Sequence, residues 1–165
     1  MGIEIERKFL LAGDGWRDAA HKVVPMAQGY LNDLAIVDSG AMQTSVRVRI
    51  EGDAAFLNIK SREAGPSRQE FDYEIPVADA RALLALCVGG SIDKRRHYVE
   101  FQRHLWEIDE FYGDNAGLVV AEVELAAEDE IFERPPWLGQ EVSEDFRYSN
   151  AALSERPWRD WRSDE

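Results

Sequence analysis

The amino-acid sequence predicts a mainly β (α+β) fold: an antiparallel, closed β-barrel of about eight strands, with helices packed outside it and a helix near the C-terminus. Three observations lead there. Short runs alternating apolar and charged residues recur from end to end, tight turns separate several of them, and the charges within a run tend to share one sign. Alternate side chains of a strand face the same way, and many antiparallel strands in a small domain can close on themselves and so lose their edges.

The first run, residues 3–10, sets Glu4, Glu6 and Lys8 on one side and Ile3 and Ile5 on the other. A short helix fits residues 14–22. Strands follow at 23–31, 34–38, 43–50 and 54–61, the last two joined by Glu51-Gly52-Asp53, which is short enough for a hairpin. Ala64-Gly65-Pro66 marks a loop, and alternation resumes at 68–75. Residues 77–88 follow a proline, are rich in Ala and Leu, and stop at Gly89-Gly90, which are helix signals at both ends. Strands at 92–102 and 105–111, turning at 102–104, and at 118–125 complete the set. The apolar positions Val46, Val48, Leu57, Ile59, Phe71, Tyr73, Val119 and Val123 then point outward, under helices such as 77–88. No repeat or linker interrupts the chain, and Pro135-Pro136 starts a C-terminal segment rather than a second domain, so 1–165 is read as one domain. In the tail, the stretch 145–155 is helix-like, and Phe146, Tyr148, Leu153, Trp158 and Trp161 are too apolar for a purely solubilising segment. It is expected to dock on the barrel.

Charge placement is the main clue to chemistry. The spacing of Glu4/Glu6/Lys8 returns as Arg47/Arg49, Asn58/Lys60/Arg62, Glu70/Asp72/Glu74, Lys94/Arg96, Glu107/Asp109 and Glu122/Glu124. Charges at alternate positions of a half-wet sheet are ordinarily just solvated. A solubilising face mixes signs freely, however, whereas here acids and bases mostly fall on separate strands. Like charges on one face repel unless counter-charges lie between them. Metal ions beside the acids and a polyanion beside the bases would serve, which is the pattern of a metal-dependent phosphate site. Three of the four lysines, Lys8, Lys60 and Lys94, belong to this set while arginine carries most of the remaining positive charge. Those places suit a compact ammonium.

The 165 residues suffice for a core without staples, and the formal net charge of −13 argues against nucleic-acid or anionic-membrane partners. Cys87 is the only cysteine, which rules out an intrachain disulfide and points to a structural thiol. With no export, anchoring or membrane-spanning signal read in the sequence, a reducing cytoplasm is the expected location. His21, His97 and His104 lack metal-ligand spacing.

In these residues the chain resembles the CYTH domain family, also called the triphosphate tunnel metalloenzymes. The E-x-E-x-K strand is matched by Glu4, Glu6 and Lys8 at the N-terminus, the basic strands by Arg47/Arg49 and Lys94/Arg96, and the late acidic strand by Glu122/Glu124. The match spans nearly the whole chain in order, and the short layout is most similar to the small bacterial inorganic triphosphatases of that family. The resemblance implies a charged tunnel and a hydrolase acting on inorganic tripolyphosphate or a related triphosphate. It assigns Lys8, Arg47, Arg49, Lys60, Lys94 and Arg96 to the triphosphate, with Glu4, Glu6, Asp109, Glu122 and Glu124 holding Mg²⁺ or Mn²⁺. Arginine offers forked donors to phosphate and lysine a point charge, and hard oxygen ligands favour these cations.

Two residues are candidates for proton handling. Lys60 has the cations Arg47 and Arg49 on the facing strand, and Tyr30 is placed at the proton acceptor by the resemblance, although a packed rim aromatic is the competing role. The partner is thus a small-molecule triphosphate, and a second copy of the chain in a homodimer is the only partner protein considered. Alternatives within the family are a class IV-type adenylyl cyclase and a thiamine triphosphatase. Outside enzymes the alternative is a phosphate-binding barrel, which could dispense with the ordered acids.

Overall fold

Residues 5–62 and 69–162 are described by the computed structural model, so Glu4 and the loop expected at 64–66 lie outside the described residues. Alternation becomes strand nearly wherever it was read. The strands are β1 (Ile5–Leu11), β2 (Lys22–Tyr30), β3 (Thr44–Glu51), β4 (Ala54–Ser61), β5 (Glu70–Ile75), β6 (Val88–Phe101), β7 (His104–Phe111), β8 (Val119–Leu125) and β9 (Leu138–Glu141). Four short helices join them: α1 (Trp16–Ala19), α2 (Leu34–Asp38), α3 (Val77–Leu84) and α4 (Asn150–Glu155). The hairpin at Gly52, whose φ of 57° suits glycine, and the two-residue turn at Gln102-Arg103 both form where expected.

All pairings are antiparallel, in the order β5-β4-β3-β2-β6-β7-β8-β1-β9. Among the described residues no pairing joins β5 to the other end, so backbone hydrogen bonds do not close the expected eight-stranded barrel. The reason is β9, which the sequence did not reveal. It pairs with the outer edge of β1, opposite Phe9 and Leu11, and occupies the edge that β5 would need.

Two other expectations are corrected. Residues 34–38 form helix α2 rather than a strand, because the Asp33 side chain accepts a hydrogen bond from Ala35 N at 2.9 Å and caps a helix start. The helix expected over 77–88 ends at Leu84, and Gly89-Gly90 enters β6. A Cβ on either glycine would lie 3.2–3.3 Å from the carbonyl oxygen of Ser154, so these glycines let the C-terminal segment lie close against β6.

The outer face of the sheet carries the main core. Phe9, Val99, Trp106, Ile108, Ala121 and Val123 pack with Trp16 of α1 and with Trp137 and Leu138, while α3 lays Ala80 on Val48 and Ala55. On the edge strand β5 this cluster takes in Ile75, at the end next to α3. Phe71 and Tyr73 remain 47% and 54% exposed, instead of lying under a helix as expected. Among the described residues no helix is long and apolar enough to cross a membrane.

The tail docks, but on the charged face. Its helix-like stretch divides into a 3-10 turn (Phe146–Tyr148) and α4, and Tyr148, Leu153 and Trp161 bury Ile92, Phe111, Leu118 and Val120 at one end of that face. The edge-on contact of Tyr148 with Trp161, centroids 5.1 Å apart, belongs to this core. Trp161→Ala is expected to lower the unfolding free energy by about 3–5 kcal/mol, the scale for emptying a buried aromatic site. Denaturant unfolding checks this, and a change under about 1 kcal/mol would leave the tail a surface appendage.

Candidate active site

Residues directly opposite in an antiparallel pair point to the same side. The register therefore carries one face across eight strands. Lys8 of β1 stands opposite Glu122 of β8, and Glu122 opposite Glu107 of β7. Asp109 stands opposite Arg96 of β6, and Lys94 opposite Met26 of β2. Gln28 and Tyr30 of β2 face Arg49 and Arg47 of β3, Arg47 faces Asn58 of β4, and Lys60 faces Glu70 of β5. Every expected site residue within the described residues lies on this face.

The basic side has a cavity of about 410 Å³ lined by Tyr30, Arg47, Asn58, Lys60 and Arg62, with Phe146 and Ala152 of the C-terminal segment across from them. Burial, then the neighbouring charge of Arg49, pushes the Arg47 guanidinium below its ordinary value, and its Nε is buried with no hydrogen-bond partner among the described residues. Arg49 is held instead, donating to Gln28 Oε1 at 3.1 Å and to Glu51 Oε1 at 2.8 Å. Lys60 Nζ is 4.0 Å from Glu70. An acid thus offsets the cationic crowding read for Lys60 from the sequence.

On β6 and β7 the bases already have a counter-ion. Asp109, 1% exposed, accepts from Lys94 Nζ at 2.8 Å and from Arg96 at 2.8 and 2.9 Å, and Arg96 also meets Glu107 at 2.7 Å. Burial alone would raise the Asp109 carboxyl, but the Lys94 and Arg96 charges outweigh it and hold it well below the usual carboxylate range. Burial and Arg96 lower the Lys94 ammonium in spite of Asp109.

The acids gather at the other end, where a cavity of about 450 Å³ is lined by Glu6, Glu107, Glu122 and Glu124. Lys8 Nζ marks the boundary, 3.2 Å from Glu122 and 3.2 Å from the Tyr148 carbonyl oxygen of the tail. Burial first, then the adjacent Glu122, pushes the Glu6 carboxyl up to about 7. Carboxylates that crowd until one holds a proton form a set of hard oxygen donors whose repulsion a divalent cation would relieve. By type these donors suit a hard divalent cation, although among the described residues no group of three or more His, Cys, Asp or Glu is set to hold a metal ion.

The structure brings Glu6, Glu122 and Glu124 together as expected, but sets Asp109 among the bases rather than in their cavity. Three residues outside the expected site also belong to the face. Glu107 was legible through its Glu-x-Asp spacing and Asn58 through its spacing to Lys60. Gln28 carried no signal, because a neutral amide does not stand out in a charge pattern.

The CYTH domain profile matches residues 2–156. A protein of Acetivibrio thermocellus named inorganic triphosphatase is 42% identical over 163 residues, covering 98% of this chain and 99% of that one. One of the same name from Nitrosomonas europaea is 39% identical over 154 residues, covering 92% and 96%. The solved structure of the inorganic triphosphatase NE1496 superposes with a TM-score of 0.74 at 35% identity, covering 93% of this chain and 95% of that one. A putative adenylyl cyclase from Hippeastrum, 16% identical with a TM-score of 0.54 over 75% of this chain and 80% of its own, shares the fold.

The Glu6 carboxyl gives a pH test. Between the ordinary value of 4.5 and about 7 the folded protein keeps a proton that the unfolded chain has released. This contribution to stability is full below the ordinary value and is lost as pH rises through the folded value. Solvent screens it, since Glu6 is exposed. In EDTA, the Tm advantage of Glu6→Gln over the unaltered protein is expected to grow from pH 5 to pH 7.5. A constant or shrinking difference contradicts the assignment.

Proposed function

The chain belongs to the CYTH family, and on that footing we propose that it is a divalent-metal-dependent hydrolase of inorganic tripolyphosphate. The reading is carried chiefly by the single face on which the bases of β3, β4 and β6 meet the acids of β1 and β8. The two relatives named inorganic triphosphatase support the substrate. A phosphate-binding module would have no use for the carboxylate cavity of Glu6, Glu107, Glu122 and Glu124.

Arg47, Arg49, Lys60, Lys94, Arg96 and Lys8 bind the triphosphate, and the free Nε of Arg47 is a donor waiting for an anion. Glu4, Glu6, Glu122 and Glu124, with Glu107 beside them, would hold the metal. Bound there, Mg²⁺ or Mn²⁺ would supply neutralisation of phosphate charge. Asp109, expected with this group, instead pairs with Lys94 and Arg96 and orients them. The C-terminal segment covers one end of this face.

Hydrolysis joins a water oxygen to the terminal phosphorus and breaks its bond to the bridging oxygen, giving orthophosphate and pyrophosphate. Positioning and charge neutralisation do most of this work. Lys60 and Tyr30, which line the same cavity, would handle the proton. The lone thiol Cys87 suits a reducing cytoplasm. A homodimer is the assembly proposed, because the half-exposed Phe71 and Tyr73 of edge strand β5 offer apolar area to a second copy.

Phosphate release from tripolyphosphate, ATP and thiamine triphosphate, with a parallel cyclic AMP assay, tests the reading. Fastest release from tripolyphosphate, abolished by chelation, is expected, whereas cyclic AMP as the main product from ATP overturns it. Arg47→Ala is expected mainly to raise KM by about tenfold or more, the scale of a lost charge-assisted contact. Lys60→Ala is expected to lower kcat more than it raises KM, and a pure KM effect would reduce Lys60 to a binding residue.

A further inference from the structure

Gln28 is 0% exposed in the middle of the charged face. Its Oε1 accepts from Arg49 Nε at 3.1 Å, while its Nε2 is buried with no hydrogen-bond partner among the described residues. The orientation of the amide follows from its partner: an arginine Nε only donates, so the atom facing it must be the carbonyl oxygen. The amino group is thereby turned away from Arg49. A buried donor without an acceptor costs folding free energy, and such groups in native proteins call for an explanation.

Its place on the sheet supplies one. Strand β2 lies between the two basic strands β3 and β6. On the charged face Gln28 stands opposite Arg49 and Ile92, and its diagonal neighbours are Arg47, opposite Tyr30, and Lys94, opposite Met26. Diagonal neighbours on one face are about 7–8 Å apart, so an anion bridging the two basic rows passes over the Gln28 amide. A cation at this position would add to the repulsion within the empty site, and an acid would neutralise the arginines. An amide does neither.

We propose that Gln28 is a substrate-binding residue, whose Nε2 donates to a phosphate oxygen of the triphosphate where the anion spans from Arg47 and Arg49 to Lys94. The proposal rests on the triphosphatase reading, which it deepens. Among the described residues no acceptor meets Nε2, and a triphosphate oxygen would supply one, so that the cost of burying the donor is recovered on binding.

Two variants test it, by steady-state hydrolysis of tripolyphosphate with Mg²⁺ and by thermal unfolding without ligand. Methionine matches glutamine in length and needs no hydrogen bond. Gln28→Met is expected to lower kcat/KM by roughly tenfold or more, the scale of one hydrogen bond to a charged acceptor. Its Tm without ligand is expected to change little, since removal of the buried Nε2 donor offsets the acceptor that Arg49 Nε loses. Gln28→Glu retains an acceptor for Arg49 Nε but loses the donor, and is expected to fall at least as far. Unchanged kcat/KM in Gln28→Met would overturn the proposal. So would recovery of activity in Gln28→Glu, because the amide would then serve only to hold Arg49. If the unaltered protein does not hydrolyse tripolyphosphate, the functional reading itself has failed, an outcome separate from either variant result.

Discussion

Like charges two residues apart on one face of a sheet cannot be left alone. That constraint organises the molecule. Asp109 neutralises Lys94 and Arg96 from the next strand, Glu122 reaches Lys8, Glu51 holds Arg49, and Glu70 approaches Lys60. Where no counter-ion suffices, the stress remains visible: the Glu6 carboxyl is driven up to about 7, and Arg47 Nε is buried without a hydrogen-bond partner among the described residues. Such unmet needs have opposite signs at the two ends of the face. On the proposed function, a metal–polyanion complex, carrying both signs, would answer both.

The rest of the fold supports that face. Apolar residues at the intervening positions fill the outer side with Phe9, Trp106, Ile108 and Val123 under α1 and the segment around Trp137. The tail crosses to the charged side and covers its apolar end through Tyr148, Leu153 and Trp161. There the Tyr148 carbonyl oxygen meets Lys8 Nζ. Packing of the tail and orientation of a site lysine are thereby linked.

Most of the face was legible because a strand has period two, so that a charge pattern in the sequence is also a map of one side of a sheet. Glu6/Lys8, Arg47/Arg49, Lys94/Arg96 and Glu122/Glu124 needed only that rule. What escaped depended on other physics. The four residues of β9 are too few for alternation to show, and with them the unclosed edge was missed. Residues 34–38 were too short to tell a helix from a strand, and the Asp33 cap decided the matter. Asp109 was grouped with the metal because the type of a carboxylate does not reveal whether a cation or a lysine will stand beside it. Gln28 became noticeable only when burial and a missing acceptor could be seen together.

The central claim is that the acid and base ends act as one site. It is tested most directly by measuring the affinity for tripolyphosphate at several Mg²⁺ concentrations, in the Lys60→Ala protein, whose slow turnover would keep the anion intact. Binding that tightens with Mg²⁺ is expected, with Mg²⁺ affinity rising by the same factor when tripolyphosphate is present, as linkage requires. The coupling should be lost in Glu6→Gln. Tight tripolyphosphate binding that ignores both Mg²⁺ and the Glu6 substitution would contradict the claim.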